Sequence, residues 1–342
     1  MIKIIVYGIG KRGMDFIQYV HELSLDIKII AVSDTYKHSW DVETNSNIPY
    51  IEASHISQSI YDYVVVTPND HYETIKRRLL ELHVDKEKIM TIKDMYKKYG
   101  NFFGNKSESA DLFCNLCGSN ISAWRYIGSQ YTIFHSNKIV GGSKRRGGCP
   151  ICGGSDRERY VYYILKHYTN IMDGLEHSVL HFAPEEFLSQ TLKKLCGRKY
   201  ISADIVPGRA ETIANIEKLQ FESGVFEYII CNHVMEHIYK EQEAFYEIKR
   251  CLIRGGILIL TVPICWEHKT FEDDTIKTEE ERIKWYGQKD HVRLYGNDIV
   301  ERVEHFGFDV TSLRCNEMVD EFDIKRMGFI PEDVVLFCKK FD

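Results

Sequence analysis

The sequence lacks several features that would place it in a specialised class of protein. Its longest uninterrupted apolar run is about one strand long, far short of the ~20 residues that a membrane-spanning helix needs. The first residues pass directly into a strand pattern, without a cleavable signal pattern. The formal net charge is -6 rather than positive, which argues mildly against a nucleic-acid-binding surface. We therefore expect a cytoplasmic protein without a membrane span and without a nucleic-acid partner.

Size and cysteine content set further limits. The chain has 342 residues, enough for two or three domains that each have a core, and its 44% hydrophobic content is ordinary for a globular protein. Its ten cysteines should be reduced in the cytoplasm. Paired cysteines therefore indicate metal ligands more readily than disulfide bonds.

A glycine-rich loop stands near the start of the chain. Residues 3–7 form a buried-strand pattern that leads into Gly8-Ile-Gly10-Lys-Arg-Gly13 and an amphipathic helix. A second strand pattern ends at Asp34, where the acid of a dinucleotide-binding fold contacts the ribose. Only half of such a fold is present before residue 98, and no hydride-transfer domain follows. We predict a Rossmann-like module that docks or binds a nucleotide, with NAD(P) as one candidate, and no redox chemistry.

Two Cys-x-x-Cys-Gly motifs follow a polar linker in residues 101–111. Two residues between the thiols of each pair allow both to face one ion, and four thiolates form the closed tetrahedral shell of structural zinc. The 31 residues between the motifs exceed the usual loop of a zinc ribbon, and their glycine pairs indicate a long excursion. We predict a structural Zn²⁺ site, with redox chemistry as the alternative; its ligands are Cys114, Cys117, Cys149 and Cys152.

The rest of the chain alternates short apolar runs with helical patterns. This alternation predicts a parallel sheet that is buried on both faces, with ligands bound at the carboxyl ends of its strands. Two further strand patterns follow, at residues 308–313 and 334–339. Five parallel strands and a terminal pair are the layout of class I methyltransferases. Four side chains stand at the predicted strand ends: His181, Asp204, His233 and Pro263.

The strand ends suit S-adenosylmethionine (SAM) in one respect and depart from the usual pattern in another. Asp204 follows the second strand, where one ionised acid can accept both ribose hydroxyls. The turn after the first strand normally carries glycines, so that the methionine tail of SAM can lie against the backbone. Here that turn is Ala183-Pro184-Glu185, without glycine.

Four motifs carry a resemblance to a known family. They are Leu-His-Phe-Ala-Pro-Glu at 180–185, Ser-Ala-Asp at 202–204, His-Val-Met-Glu-His at 233–237 and Gly-Gln-Lys-Asp-His-Val-Arg-Leu-Tyr-Gly at 287–296. They are similar to a bacterial family of class I SAM-dependent methyltransferases, whose members often begin with a Cys-Pro-x-Cys-Gly knuckle followed by arginines. The similarity covers roughly residues 149–342. It implies that the methyl donor is bound by Ala183, Pro184, Glu185, Asp204, Asn215, Ile216 and His233.

Methyl transfer to a hydroxyl requires a desolvated pocket and a base. Histidines are the candidate bases because their pKa lies near the working range. We expect an acid beside a histidine to orient it, and an arginine to bind a phosphate or carboxylate of the acceptor. A backbone-fixing role is the alternative for the Glu236-His237 pair, and His181 is expected to be a core histidine. The predicted catalytic residues are His233, His237, His291, Asp290 and Arg293.

Together these patterns predict an α/β protein with two Rossmann-like parallel-sheet domains joined by a zinc-ribbon segment. The predicted segments are residues 1–100, 101–160 (linker and ribbon) and 161–342 (class I methyltransferase domain). The predicted acceptor is a small polar molecule, a sugar or sugar nucleotide, because the Rossmann-like module could hold a nucleotide-bearing substrate. The resemblance implies the same class, since many members of the similar family sit among surface-polysaccharide genes. Alternatives are RNA or protein methylation that uses the ribbon as a grip, and a non-catalytic scaffold that binds SAM or NAD. A homodimer also fits the sequence.

Overall fold

A computed structural model describes residues 1–22, 26–36, 48–68, 70–99 and 112–341, apart from the side chains of Lys97 and His135. The predicted linker at 101–111 therefore lies outside the described residues. The chain divides into two compact units, one of residues 1–126 and 146–153 and the other of residues 127–145 and 154–342. This division differs from the predicted one, which placed the domain borders at residues 100 and 160. The cysteine motifs share a unit with the N-terminal sheet, and the excursion between them belongs to the other unit.

The first unit contains a four-stranded parallel sheet in the order β2-β1-β3-β4. Its core lies on both faces of the sheet, because alternate residues of each strand point to opposite sides. The elements are β1 Ile2–Tyr7, α1 Lys11–Glu22, β2 Ile27–Ser33, β3 Tyr63–Val66, α2 Tyr72–Glu81, β4 Ile89–Thr91 and α3 Ile92–Lys98.

The glycine-rich loop connects β1 to α1, as predicted. Gly8 has a φ of 97°, and a Cβ atom there would lie 2.6 Å from the Pro68 ring. Only glycine fits this turn without displacing the neighbouring loop. Asp34, at the end of β2, accepts hydrogen bonds from the backbone N–H groups of Ile9 (2.8 Å) and Tyr36 (2.9 Å). The carboxylate thus holds the glycine-rich loop against the second strand.

The cysteine motifs lie on short strands in the same unit. β5 Leu112–Cys114 pairs antiparallel with β6 Ser119–Ile121. Two further short strands, β7 Arg125–Ile127 and β8 Arg145–Gly148, mark where the chain passes from one unit to the other and back. The Tyr19 hydroxyl on α1 donates to the Ala123 carbonyl at 2.9 Å. This part of the chain therefore packs on the N-terminal sheet.

The second unit is built on a seven-stranded sheet. Its strands are β9 Val179–Phe182, β10 Tyr200–Asp204, β11 Thr212–Ile213, β12 Phe226–Asn232, β13 Leu252–Thr261, β16 Phe308–Arg314 and β17 Val334–Lys340; β14 Ile264–Cys265 and β15 Tyr295–Gly296 form a separate pair. Its helices are α4 Thr132–Ser136, α5 Asp156–Tyr168, α6 Glu186–Cys196, α7 Glu241–Cys251, α8 Glu279–Tyr286, α9 Ile299–His305, α10 Cys315–Met318 and α11 Glu321–Met327.

The strand order of this sheet is β11-β10-β9-β12-β13-β17-β16. The first five strands are parallel, and β17 runs antiparallel to both of its neighbours. The predicted layout of five parallel strands and a terminal pair is therefore confirmed. Alternate residues of the central strands enter two cores: Leu180 and Ile229 pack on one face, and Val179 and Ile230 on the other. Among the described residues, no helix combines the length and apolar character that crossing a membrane requires.

A buried acid lies at the start of α5. Glu158 is 7% exposed and accepts a hydrogen bond from the Leu188 N–H at 3.2 Å. Burial, together with the charge of Glu185, raises the pKa of Glu158 to about 7. Because the folded-state pKa lies above the unfolded one, ionisation of this side chain destabilises the fold as the pH rises from about 4.5 to 7.

Replacement Glu158→Gln should therefore stabilise the second unit at pH 8 by up to about 3 kcal/mol and change its stability little at pH 5. Chemical denaturation at the two pH values measures the free energy of unfolding. Glu304→Gln, at an exposed glutamate of α9, serves as the control and should change stability equally at both pH values. If Glu158→Gln raised the free energy of unfolding equally at pH 5 and pH 8, the raised pKa of Glu158 would be contradicted.

Candidate functional site

Three predicted donor-binding residues lie at one edge of the larger sheet. Phe182 at the end of β9 pairs with Ala203 of β10 and Cys231 of β12. The next position of each strand is therefore Ala183, Asp204 and Asn232, and His233 follows directly. This is the carboxyl edge, where parallel α/β sheets bind ligands.

The glycine-free loop adopts a backbone conformation that glycine would adopt easily. Ala183 has a φ of 44°, and His233 has a φ of 52°. Each N–H donates to a neighbouring strand at 2.9 Å, Ala183 to Ala203 and His233 to Thr261. A left-handed conformation costs a residue with a side chain about 1–2 kcal/mol, and such strain clusters at functional sites. The strain at this edge thus falls on two of the predicted site residues.

The first loop is braced by a buried histidine. His181 is fully buried, with Nδ1 3.0 Å from the Tyr200 hydroxyl and Nε2 2.9 Å from a carboxylate oxygen of Glu185. The expectation that His181 is a satisfied core histidine is confirmed. It fixes Glu185, while Ala183 is exposed and Pro184 is half-buried.

The second and third strand ends are more open. Asp204 is half-buried and accepts from the Val206 N–H at 2.7 Å, and Ile205 beside it is 65% exposed. Asn215 is exposed and accepts from the Glu217 N–H at 2.9 Å. The Ile216 side chain, however, lies in the core and is 4% exposed. Donor binding by Ile216 therefore stays a prediction, and it can involve only the backbone of this residue.

A cavity of about 380 Å³ opens where β12 and β13 end. It contains all three predicted catalytic histidines, and most of its other lining residues come from outside the sheet. The lining residues are Gly128, Ser129, Phe134, Gly141, Gly142, Arg157, His233, Glu236, His237, Pro263, Gln288 and His291.

Two of the histidines that line this cavity are in edge-to-face contact with each other. The rings of His237 and His291 are 4.7 Å apart between centroids and nearly perpendicular. His237 Nδ1 lies 3.2 Å from the Asp290 carbonyl and 3.4 Å from its carboxylate. His291 Nδ1 lies 3.3 Å from the Tyr286 carbonyl. Asp290 therefore contacts His237 rather than His291, the neighbouring histidine that it was expected to orient, and it does not line the cavity itself.

Burial shifts the pKa values of three side chains that line the cavity. Burial, and then the charge of Arg157, lowers the pKa of His233 well below its usual value. Burial and the neighbouring His237 lower the pKa of His291 to about 4. Burial raises the pKa of Glu236 to about 8. Glu236 Oε1 lies 3.2 Å from His233 Nδ1, so the acid and the strained histidine form a pair.

The four cysteines of the two motifs come together in the first unit. Cys114 Sγ lies 3.7 Å from Cys152 Sγ, and Cys117 Sγ lies 3.9 Å from Cys149 Sγ. A tetrahedron of ~2.3 Å Zn–S bonds places its sulfur atoms roughly 3.8 Å apart, so the set has the size that zinc requires. Gly118 (φ 70°) and Gly153 (φ 81°) close the turns that aim the thiols inward.

Several solved structures of methyltransferases are similar to part of this chain. A SAM-dependent methyltransferase from Archaeoglobus fulgidus has 16% identity over 55% of this chain and 95% of its own, with a TM-score of 0.36. A SAM-dependent methyltransferase from Mesorhizobium loti has 10% identity over 55% and 99%, with a TM-score of 0.38. The Burkholderia thailandensis 1,6-didemethyltoxoflavin-N1-methyltransferase, with S-adenosylhomocysteine bound, has 13% identity over 55% and 79%, with a TM-score of 0.34. No curated protein matches the chain.

Sequence models of two families match separate parts of the chain. The family described as "C2185-like, N-terminal" matches residues 1–90, and the family described as "Methyltransferase domain" matches residues 185–260. The second match begins in the first loop and ends within β13. The sequence pattern of a methyltransferase domain therefore falls on the larger sheet of the second unit.

Arg293 has a different role from the one predicted. It is 1% exposed, and it donates to the backbone carbonyls of Met235 (3.0 Å) and Ile238 and to the Glu272 carboxylate (2.6 Å). These partners occupy the guanidinium from several sides. The expectation that Arg293 binds an acceptor anion is not supported by this geometry: Arg293 does not line the cavity of about 380 Å³, and its contacts join its own segment to the turn that carries Glu236 and His237.

A neighbouring arginine is better placed for a ligand. Arg157 lines the cavity, whereas Arg159 is fully buried and donates to the carbonyls of Met327 (2.7 Å) and Gly328 (3.0 Å). Sequence analysis could not separate these two arginines of one helical turn. The two arginines differ only in the direction in which their side chains leave α5: Arg157 points to the cavity, and Arg159 points into the core.

The excursion between the cysteine motifs forms one wall of the cavity. The Val140 N–H donates to the Ile264 carbonyl at 3.0 Å, and Cys265 Sγ lies 3.0 Å from the Asn137 carbonyl. At its C-terminal end, Arg145 binds the buried Asp156 carboxylate through two hydrogen bonds of 2.6 and 2.8 Å. Sequence analysis missed this wall, although the pairs of glycines pointed to an unusual loop.

Phe134 of this wall packs closely against glycine. A Cβ atom at Gly142 would lie 2.0 Å from the Phe134 ring. We expect Gly142→Ala to displace the ring and to lower the free energy of unfolding by about 1–3 kcal/mol. The control is Gly224→Ala, whose Cβ would meet no described atom within 4 Å and whose left-handed φ costs about 1 kcal/mol. The denaturant midpoints of the two variants compare their losses of stability. Equal losses would show that the wall makes room for the added methyl group at no extra cost.

Proposed function

We propose that the chain transfers the methyl group of SAM to a small polar acceptor, a sugar or a sugar nucleotide. The observation that carries this proposal is a polar, histidine-lined cavity at the same sheet edge as the donor-binding positions. Its volume of about 380 Å³ falls in the range of small-molecule sites.

The donor-binding residues proposed are those that surround the first two strand ends. The Ala183-Pro184-Glu185 loop would hold the methionine tail, with Glu185 beside its ammonium group. Asp204 would accept the ribose hydroxyls, and the exposed Ile205 offers an apolar surface for the adenine ring. The exposed Asn215, the Ile216 backbone and His233 complete the set. SAM supplies an activated methyl group on a sulfonium; the protein orients it and excludes water.

The acceptor-binding residues proposed are the cavity side chains. His233, His237 and His291 are the candidates to take the proton of an acceptor hydroxyl, and Asp290 orients His237. Arg157 lines the same cavity and carries a fixed positive charge suited to a phosphate or carboxylate of the acceptor. A sugar nucleotide presents both hydroxyls and phosphates.

Two further sites are proposed in the first unit. Cys114, Cys117, Cys149 and Cys152 would bind one structural Zn²⁺, supported by the 3.7 and 3.9 Å sulfur separations. The glycine-rich loop between residues 8 and 13, held by Asp34, would bind a nucleotide or NAD(P), supported by its close backbone approach.

Donor binding is tested by calorimetric titration with S-adenosylhomocysteine and NAD separately. We expect S-adenosylhomocysteine to bind and Asp204→Asn to weaken it roughly 10- to 100-fold, since a hydrogen bond to a charged group contributes about 1.5–3 kcal/mol. Asp309→Asn, on the exposed face of β16, should leave affinity unchanged. Binding of NAD alone would overturn the donor assignment.

The acceptor class is tested by S-adenosylhomocysteine release over acceptor panels. Turnover with sugars or sugar nucleotides is expected, and Arg157→Ala should raise KM for phosphorylated acceptors more than for neutral ones. Turnover confined to RNA or protein would replace the sugar assignment, and donor binding without turnover on any panel would favour a scaffold.

The zinc site is tested by metal analysis. Cys117→Ser should lose the bound zinc and lower the thermal stability of the first unit, because structural zinc contributes directly to folding. Cys196→Ala, which removes a core thiol of the methyltransferase domain, should retain full zinc content. Undiminished zinc in Cys117→Ser would place the metal elsewhere.

A further inference from the structure

Two histidines and a glutamate in the cavity have the composition of a second metal site. Ligand atoms of Glu236, His237 and His291 all lie within 4.8 Å of one another. All three line the cavity, and the set shares no residue with the cysteine cluster. We propose that these three residues bind a divalent transition-metal ion at the acceptor end of the methyltransferase cavity.

The orientation of the two imidazoles supports this site. A backbone carbonyl can only accept a hydrogen bond, so the contacts of His237 Nδ1 with the Asp290 carbonyl and of His291 Nδ1 with the Tyr286 carbonyl place the proton on Nδ1 in both rings. Each Nε2 then carries a lone pair. Metal-binding histidines are typically held in this way, with one ring nitrogen donating to a carbonyl or carboxylate and the other facing the ion.

The glutamate supplies an independent indication. Glu236 is 2% exposed, and within the described ranges its Oε2 atom is buried without a hydrogen-bond partner. Oε1 is 3.2 Å from His233 Nδ1. A buried carboxylate oxygen without a partner is energetically unfavourable, and a bound cation would satisfy it. The orphaned oxygen thus points to a missing positive ligand in this cavity.

The donor set indicates the class of ion. Two imidazoles and one carboxylate suit first-row transition metals, whereas Mg²⁺ and Ca²⁺ prefer oxygen alone. Ligand bonds of ~2.1 Å would draw the three atoms to roughly 3.5 Å apart, a closure of about 1 Å that side-chain rotation can supply. Three protein ligands leave coordination positions open, as in catalytic rather than structural sites.

The open coordination positions could bind the acceptor. This role of the metal, unlike the metal site itself, depends on the proposed methyl transfer. An acceptor hydroxyl bound there would be oriented toward the donor edge, and its acidity would rise. His237 and His291 would then be ligands. His233, which follows β12 and is paired with Glu236, would be the imidazole left to take the proton.

The test uses the full chain loaded with zinc at the cysteine cluster, titrated with Mn²⁺ and followed by electron paramagnetic resonance. Mn²⁺ is chosen because it is paramagnetic and, as the weakest binder of the first-row series, does not displace zinc from the thiolates. We expect one Mn²⁺ per chain and spin-echo modulation from imidazole nitrogen. Calorimetry with Zn²⁺ should show the same additional equivalent. Absence of both Mn²⁺ and Zn²⁺ binding beyond the cysteine-held ion would overturn the proposal.

Variants locate the site. His237→Ala, His291→Ala and Glu236→Gln should each weaken Mn²⁺ binding at least tenfold. His268→Ala removes an exposed imidazole of the same unit and should bind as the wild type does. If a variant fails to fold, the milder His237→Gln decides instead: the nitrogen modulation should become shallower, because His291 alone then supplies imidazole nitrogen, and unchanged modulation depth would overturn the assignment of His237.

The metal site and the proposed donor site can be refuted separately. Asp204→Asn should retain Mn²⁺ even where S-adenosylhomocysteine binding is lost, because Asp204 is not in the ligand set. A chain that binds Mn²⁺ through these three residues but no S-adenosylhomocysteine would uphold the metal site and refute the proposed function. The reverse result would refute the metal site alone.

Discussion

The buried Arg293 guanidinium holds together two of the sequence segments that line the cavity. It donates to the carbonyls of Met235 and Ile238, on either side of the Glu236-His237 turn, and its own segment carries His291. Glu272 binds the guanidinium, and the same carboxylate reaches Arg302 at 3.0 Å. A buried cation is stable only when its donors are satisfied, so the carbonyls of the turn are required as much as the acid. The relative positions of the two cavity histidines follow from this contact.

The sequence was most informative where a local pattern determines structure. The alternation of apolar runs and helical patterns was sufficient to predict the parallel strands of the second unit and the antiparallel pair at its end. Strand ends in a parallel sheet share one edge, so Asp204 and His233 could be grouped before any coordinates were known. Within each cysteine motif, the short spacing predicts that the two thiols lie close together. The contacts between the motifs, of Cys114 with Cys152 and of Cys117 with Cys149, do not follow from that spacing.

The sequence was least informative where contacts link distant segments. Arg293 and Arg157 are both basic residues in polar stretches, and only their burial and their partners separate a structural arginine from one that lines the cavity. The excursion wall depends on contacts such as Val140 with Ile264, more than a hundred positions apart. Ile216 shows the same limit on a smaller scale, because a family motif does not state which way a side chain points.

The excursion also makes the second unit discontinuous in sequence. Residues 127–145 lie between the two cysteine motifs, while the rest of the unit begins at residue 154. A gene fragment that starts after the second motif would encode every strand of the large sheet but would lack Phe134, Gly141 and Gly142. Such a fragment would therefore lose part of the wall of the histidine-lined cavity.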